Sequence, residues 1–252
     1  WPDNMRRAIY GNLLDRMVQA GDPDQAERLF QDAMKWAQEK EDQNMLGWVY
    51  FAGSRLDFRR QDTYRGRDRA KEALRIFTER NDKMKMAEVY NHLALIEFTS
   101  GSNNAAVDNL ELAMKTANVP PIKANVEFIR GLIARKTSKL PEAIEHFKEA
   151  NELAGNTGMA PLALESGFPY GEALFVQRDF IKAADVLLRV AQIAQALQNP
   201  IRERAAMALL SEAQGALRNF EAAFQSSSRT LQLTQELRLE QAMAPDIYRV
   251  GF

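Results

Sequence analysis

The sequence predicts an all-α protein, a right-handed superhelical solenoid of about six stacked helix–turn–helix repeats. Two observations support this fold class. A phrase of small, large and small residues at i, i+4 and i+7 recurs along the chain, and the apolar residues between its copies recur at helical spacing. The sequence contains no alternating run of β-branched residues that would indicate a strand.

The recurring phrase is clearest in SKLPEAIEHFKEA, where Ala143, Phe147 and Ala150 follow a short polar turn. The other five copies begin at Ala26, Ala70, Ala106, Ala183 and Ala223. The six alanines are therefore 44, 36, 37, 40 and 40 residues apart. Offsets of four and three place the side chains on one helical face, and the small residues let a second helix approach closely. The phrase is thus expected to mark the second helix of each repeat.

Apolar stripes upstream of each copy predict the first helix of each repeat, as in Ile122, Val126, Ile129 and Ile133. The repeats of a single domain, 1–252, are expected at about 5–41, 44–81, 84–118, 122–155, 161–198 and 200–240, with a C-terminal tail at 241–252.

Two irregularities interrupt the predicted pattern. The turn between Arg59 and Ala70 is about five residues longer than its counterparts. Pro169 falls inside the first helix of the fifth repeat, where proline removes a backbone hydrogen bond, so we expect a break or kink near Ser166 to Tyr170.

The phrase resembles the tetratricopeptide repeat family, whose consensus has a small residue in the first helix, a glycine-containing turn and then Ala-x3-aromatic-x2-Ala. The matching residues are Gly21, Ala26, Phe30 and Ala33; Ala94, Gly101, Ala106, Leu110 and Ala113; and Gly131, Ala143, Phe147 and Ala150. The spacings here exceed the family's usual period of about 34 residues. The resemblance implies stacked helical hairpins around a concave groove that binds a protein or peptide.

Composition excludes several other classes of protein. Lys and Arg number 33 against 34 Asp and Glu, a formal net charge of −1, so no global field favours nucleic acid or an anionic membrane. The chain has no cysteine and therefore neither disulfides nor thiolate metal sites. The sequence contains no run of 18 apolar residues, so it predicts no membrane span. A cytoplasmic location is expected, although a start at Trp1 rather than Met leaves open a removed signal peptide or further domains.

The sequence predicts no enzyme, no cofactor and no metal site. His92 and His146 are the two histidines, and both fall within predicted helices. The chain lacks a Ser-His-Asp order, an HExxH motif, a phosphate-binding glycine loop and a nucleophile elbow.

Helical phase selects the side chains that would line the groove: those 18, 15, 11, 8 and 7 residues before each turn alanine. The candidates for partner binding are Tyr50, Asn91, Leu95, Phe98, Phe128, Leu132, Arg135, Lys136, Phe168, Glu172 and Phe175. Apolar residues mixed with amides and charges suit a peptide or helix ligand. The alternative is that long helices bury these side chains within the superhelix.

A basic cluster is the second candidate site. Its members are Arg59, Arg60, Arg65, Arg67 and Arg69. The cluster would form an edge that docks an acidic segment or a phosphate group, or else a solvated loop with ion pairs at i, i+4.

Two functional hypotheses follow from these features. The first is a scaffold or adaptor that binds a protein or peptide segment in its groove, with no direct contact to nucleic acid and no insertion into a membrane. The second is an effector-sensing or autoinhibitory domain of a larger signalling or transcription regulator. The oligomeric state stays open.

Overall fold

The computed structural model describes residues 23–239 and Asp246, and this part of the chain is helical with short connections and no strand. Its eleven helices are α1 (Pro23–Glu39), α2 (Gln43–Arg59), α3 (Thr63–Glu79), α4 (Lys83–Thr99), α5 (Asn103–Thr116), α6 (Pro120–Lys136), α7 (Leu140–Asn156), α8 (Ala160–Val176), α9 (Phe180–Ala196), α10 (Pro200–Ala216) and α11 (Phe220–Glu236). The all-α prediction is confirmed. The helix expected before residue 23 and, apart from Asp246, the tail at 241–252 lie outside the described residues.

Helix length and connection length are nearly constant. All the helices of the described part except α5 have 17 residues, and consecutive helices begin 20 residues apart except at α5 and α6. In the first three-residue connection, the Asp42 N–H donates to the Ala37 carbonyl at 2.9 Å, and the Asp42 carboxylate accepts from the Met45 N–H at 3.1 Å. These two bonds satisfy the end of one helix and the start of the next.

Each of these connections, except the one between α5 and α6, has a residue with positive φ at its centre. These residues are Glu41, Gln61, Asn81, Gly101, Ser138, Gly158, Arg178, Gln198 and Arg218. Only two of them are glycine, the residue that adopts this conformation without steric cost. Glycine is therefore an incomplete marker of the turns in this sequence.

The connection between α5 and α6 has a different geometry. Helix α5 has 14 residues, and its C-cap, Ala117, is extended with a φ of −148°. Proline at the start of α6 is tolerated because the first helical N–H groups have no partner within the helix. The chain divides into two compact units close to this point: unit 1 extends to Ile122 and unit 2 begins at Lys123.

The structure corrects the alignment of the second repeat. The fourth residue of α3 is Gly66, which is equivalent to Ala26 in α1 and Ala106 in α5, whereas Ala70 is the eighth. A Cβ atom on Gly66 would lie 3.3 Å from the Ser54 carbonyl oxygen, so glycine permits the close approach of α2. The connection before α3 has three residues like the others, and the longer turn predicted there is wrong.

The break predicted at Pro169 is absent, because α8 is continuous from Ala160 to Val176, while a kink at this position stays a prediction. Packing against α7 and α9 supports the continuous helix. Asn151 Nδ2 in α7 donates to the Ala163 carbonyl at 2.8 Å. On the α9 side, a Cβ atom on Gly171 would lie 2.7 Å from Leu187 Cγ. Tertiary contacts thus offset the hydrogen bond that proline removes.

Each unit has its own apolar core. In unit 1, Phe77 packs with Ala70, Ala73 and Val89. In unit 2, Phe147 and Leu187 belong to one larger cluster contributed by α6 to α10. The phrase of small, large and small residues therefore lies in the core, and it determines packing.

Candidate functional site

The predicted groove residues on α4, α6 and α8 occupy equivalent helix positions. The ninth, thirteenth and sixteenth residues are Asn91, Leu95 and Phe98 in α4; Phe128, Leu132 and Arg135 in α6; and Phe168, Glu172 and Phe175 in α8. Lys136 is the exposed seventeenth residue of α6. The distance in sequence from each turn alanine is therefore sufficient to identify these helix positions.

Tyr50 does not share these positions, because it is the eighth residue of α2 and packs against the buried cluster around Phe77. The equivalent residues of α2 are Phe51, Arg55 and Phe58, which are not among the predicted groove residues. The constant 20-residue distance between helix starts was the signal that would have found them. This constant distance was not apparent from the sequence, because Ala70 was aligned with the turn alanines of the other repeats in place of Gly66.

In unit 2, the residues at these positions combine half-buried apolar side chains with accessible charges. We call this set the α6–α8 face, and it consists of Phe128, Leu132, Arg135, Lys136, Phe168, Glu172 and Phe175. Its four apolar residues are half-buried and pack against the core cluster. Arg135 Nη1 lies 2.8 Å from Glu172 Oε2, so an ion pair joins α6 to α8.

A second ion pair, absent from the sequence prediction, borders the same face. Arg202 Nη2 in α10 lies 2.7 Å from Glu165 Oε2 in α8. The Arg202 guanidinium carbon is 5.9 Å from the centre of the Phe168 ring. Both pairs are partly exposed, so they contribute little to stability, and their side chains remain accessible to a ligand.

Asn91 in unit 1 has a structural contact. Its Nδ2 donates to the Ile122 carbonyl at 3.2 Å, and the residue is buried. Leu95 and Phe98, on the following turns of α4, are half-buried. The amide of Asn91 therefore has a packing role within unit 1.

Most of the predicted basic edge pairs with carboxylates of this chain. Arg67 makes a bidentate contact with Glu97, with Nε–Oε1 at 2.6 Å and Nη2–Oε2 at 3.1 Å. Arg60 Nη1 lies 2.9 Å from Glu27 Oε2. These contacts bring helices together and so give the arginines a role in packing.

The remaining three arginines of the edge differ in burial. Arg69 Nη1 lies 3.0 Å from Oδ2 of the buried Asp57, and its guanidinium carbon lies 4.0 Å from the centre of the Phe30 ring. Arg65 Nε is 3.9 Å from Asp62 Oδ2, and Arg59 is exposed. Burial raises the pKa of Asp57, and the charge of Arg69 opposes this shift.

His92 is a packing residue of unit 1. Its ring meets Phe51 and Phe58 edge-on, with centroid distances of 5.7 and 5.6 Å. Ser54 Oγ donates its proton to the Gly66 carbonyl at 2.6 Å, so His92 Nε2, 3.0 Å from that oxygen, donates to it. Burial, assisted by the charge of Arg55, lowers the pKa of His92 to about 3. This serine and histidine therefore do not form a nucleophile and its base.

His146 in unit 2 pairs with a buried carboxylate. Its Nδ1 lies 2.6 Å from Glu127 Oε2, and Arg130 Nη1 lies 2.9 Å from Glu127 Oε1. Among the described residues, no group of three or more His, Cys, Asp or Glu side chains has the arrangement of a metal site. No helix in this part of the chain is long and apolar enough to cross a membrane.

Solved structures share this architecture. BtubC (BKLC) from P. vanneervenii is 18% identical with a TM-score of 0.64, covering 89% of this chain and 92% of its own. A signal-transduction ATPase with a tetratricopeptide repeat sensor from Pyrococcus horikoshii is 14% identical with a TM-score of 0.67, covering 98% of this chain and 39% of its own. The fold is a tetratricopeptide-like solenoid.

NprR in complex with its cognate peptide NprX has the same tetratricopeptide-like fold. It is 11% identical with a TM-score of 0.59, and the match covers 98% of this chain and 73% of that one. No protein-family model and no curated protein matches the sequence. Identities this low show a shared fold and do not assign a function.

Proposed function

We propose that this chain is a scaffold that binds a protein or peptide segment, with the α6–α8 face as the centre of the binding site. The observation that carries the proposal is the composition of that face. Phe128, Phe168 and Phe175 are half-buried and accessible, and the Arg135–Glu172 pair lies among them. Large aromatic side chains beside accessible charges are typical of the residues that dominate binding energy in protein interfaces.

The tetratricopeptide-like architecture supports a segment as the ligand. Equivalent positions of the successive first helices α6, α8 and α10 in unit 2 recur at a regular spacing, which suits an extended or helical chain better than a compact small molecule. NprR, which has the same fold, was solved with a peptide. The basic edge supports the proposal less, since Arg60, Arg67 and Arg69 have carboxylate partners within unit 1.

A second candidate function is that of a sensory domain within a larger regulator. The similar ATPase carries its tetratricopeptide repeat sensor in a chain of which this one covers 39%. A sensor of this kind would bind a small effector and transmit a change in conformation. Binding of a protein or peptide segment through the phenylalanines of the α6–α8 face would distinguish a scaffold from such a sensory domain.

The test compares truncations of the α6–α8 face with a truncation elsewhere in unit 2. Phe128→Ala, Phe175→Ala and Arg135→Ala are each expected to weaken partner binding about thirtyfold, or about 2 kcal/mol, because interface anchors contribute on this scale. Leu188→Ala removes an exposed apolar side chain of α9 and should leave binding unchanged. Partner recovery from lysate and affinity for a recovered partner are the measurements.

Thermal unfolding provides the control for misfolding. The three variants should melt much closer to the parent protein than Phe147→Ala, because Phe147 is fully buried. Retention of every partner by all three variants would refute the proposal. Melting losses as large as that of Phe147→Ala would instead assign these side chains to the core.

A further inference from the structure

The last two hairpins differ at one aromatic contact. Phe175, the sixteenth residue of α8, meets Phe180, the first residue of α9, edge to face with ring centroids 5.3 Å apart. The equivalent positions in α10 and α11 are Gly215 and Phe220. The hairpin of α10 and α11 thus has Phe220 in the position of Phe180, but it has a glycine in the position of Phe175.

The space beside Gly215 is open. A Cβ atom on Gly215 would meet no heavy atom within 4 Å. Phe220 is 64% exposed, whereas its counterpart Phe180 is half-buried. Phe224, one turn further along α11, is 55% exposed, and Leu217 in the connection is 41% exposed. Two exposed phenylalanines at i, i+4 with a neighbouring leucine form an apolar patch of the kind that marks interaction sites.

The patch continues the proposed binding surface. Gly215 has the same helix position as Arg135 in α6 and Phe175 in α8. Helix α10 contacts α8 directly. Ala208 and Gly215 stand where α8 has Phe168 and Phe175, and Glu212 stands where α8 has Glu172. A bound segment that follows the first helices of unit 2 therefore reaches the open space beside Gly215 in α10.

We propose that the bound segment places an aromatic side chain beside Gly215, where it makes with Phe220 the contact that Phe175 makes with Phe180. The inference rests on the proposed function and specifies its partner: a protein or peptide segment that presents Phe, Tyr or Trp to α10 and α11. The choice of an aromatic ring follows from the internal example, since a ring at this position gains an edge-to-face contact in addition to burial.

The test uses a minimal probe in place of the unknown partner. N-acetyl-phenylalaninamide and N-acetyl-leucinamide are titrated into the isotope-labelled protein, and NMR shifts of the Phe220 and Phe224 rings and amides are followed. A ligand of this size is expected to bind with a dissociation constant of about 1 mM or weaker. The phenylalanine derivative should bind about threefold to tenfold more tightly than the leucine derivative, because an aromatic pair adds this much to burial alone.

Two glycine variants identify the binding position. Gly215→Phe supplies the missing ring within the chain, so it should abolish the saturable shifts at Phe220 without lowering the melting temperature. Gly155→Phe is the matched control: Gly155 is the sixteenth residue of α7 and also has open space around it. Probe binding should survive in this control. Equal affinities for the two probes, or phenylalanine binding that survives in Gly215→Phe, would overturn the inference.

A second copy of the chain is the competing occupant. If it covers the patch, the Phe220 and Phe224 signals will change with protein concentration in the absence of probe, and sedimentation will show a dimer that Gly215→Phe disrupts. That outcome also overturns the inference. Failure of the proposed function is recognised separately, because it appears as intact partner binding in Phe128→Ala and Arg135→Ala and leaves the probe titration unaffected.

Discussion

Two hairpins, α2–α3 in unit 1 and α8–α9 in unit 2, have different side chains at the same pair of buried helix positions. The fifteenth residue of the first helix and the seventh of the second are Asp57 and Arg69 in unit 1. The same two positions are Leu174 and Val186 in unit 2, where both belong to the apolar core cluster. One pair of helix positions thus accepts either a buried ion pair or two apolar side chains.

This difference shows that the fold does not depend on charge at these positions. A buried ion pair recovers its cost of desolvation only while both partners are present, whereas an apolar pair gains from burial alone. Arg69 partly compensates by contacting Glu27, with Nη2–Oε1 at 3.7 Å, and the Phe30 ring. We infer that unit 1 is more sensitive than unit 2 to the loss of a single side chain at this site.

The largest expected effect comes from breaking the ion pair. Arg69→Met leaves the Asp57 carboxylate buried without its cation and should lower the free energy of unfolding by about 3–5 kcal/mol. The double variant Asp57→Leu, Arg69→Val installs the pair found in α8 and α9, and it should be close to the parent protein in stability. Urea unfolding of the three proteins measures both effects. A double variant that is no more stable than Arg69→Met would show that the two hairpins are not interchangeable.

A smaller effect is expected at the fourth residue of the second helix, which is Gly66 in unit 1 and Ala143 in unit 2. Ala143 is fully buried, so Ala143→Leu should overpack the contact and cost about 1–3 kcal/mol. Glu142→Leu, one position away and exposed, should change the free energy of unfolding little. Equal unfolding midpoints for the two variants would contradict the assigned helix phase.

The smallest effect concerns pH and the tenth residue of the first helix, His92 in α4 and Ile129 in α6. His92 has a pKa of about 3 in the folded protein against an ordinary value of 6.5. Between these values the unfolded chain binds a proton that the folded protein does not, so stability falls as the pH falls. The loss is at most about 1.4 kcal/mol per pH unit.

His92→Ile tests this expectation by placing the residue of unit 2 in unit 1. Urea unfolding at several pH values between 6.5 and 5.5 should show a weaker acid-induced loss of stability in the variant. Parallel pH profiles for the two proteins would mean that His92 titrates normally.

Part of the candidate site was predictable from the sequence, because equivalent helix positions follow from a count along the chain. This count placed Phe128, Arg135 and Phe175 correctly relative to one another. It failed for the residues of α2, because Ala70 of α3 was taken as the small residue in place of Gly66. The Glu165–Arg202 pair was not predicted, since its two residues are 37 positions apart and neither belongs to a recognisable motif.

The sequence by itself determined the helices and their repetition, because apolar spacing of three and four residues is a local property of the α-helix. Tertiary structure decided which small residue fits against the neighbouring helix, whether α8 continues through Pro169 and which carboxylate pairs with each arginine. These outcomes depend on contacts between atoms from different helices. Gly66 illustrates the distinction: the structure shows that a Cβ atom at this position would lie 3.3 Å from the Ser54 carbonyl oxygen in the preceding helix.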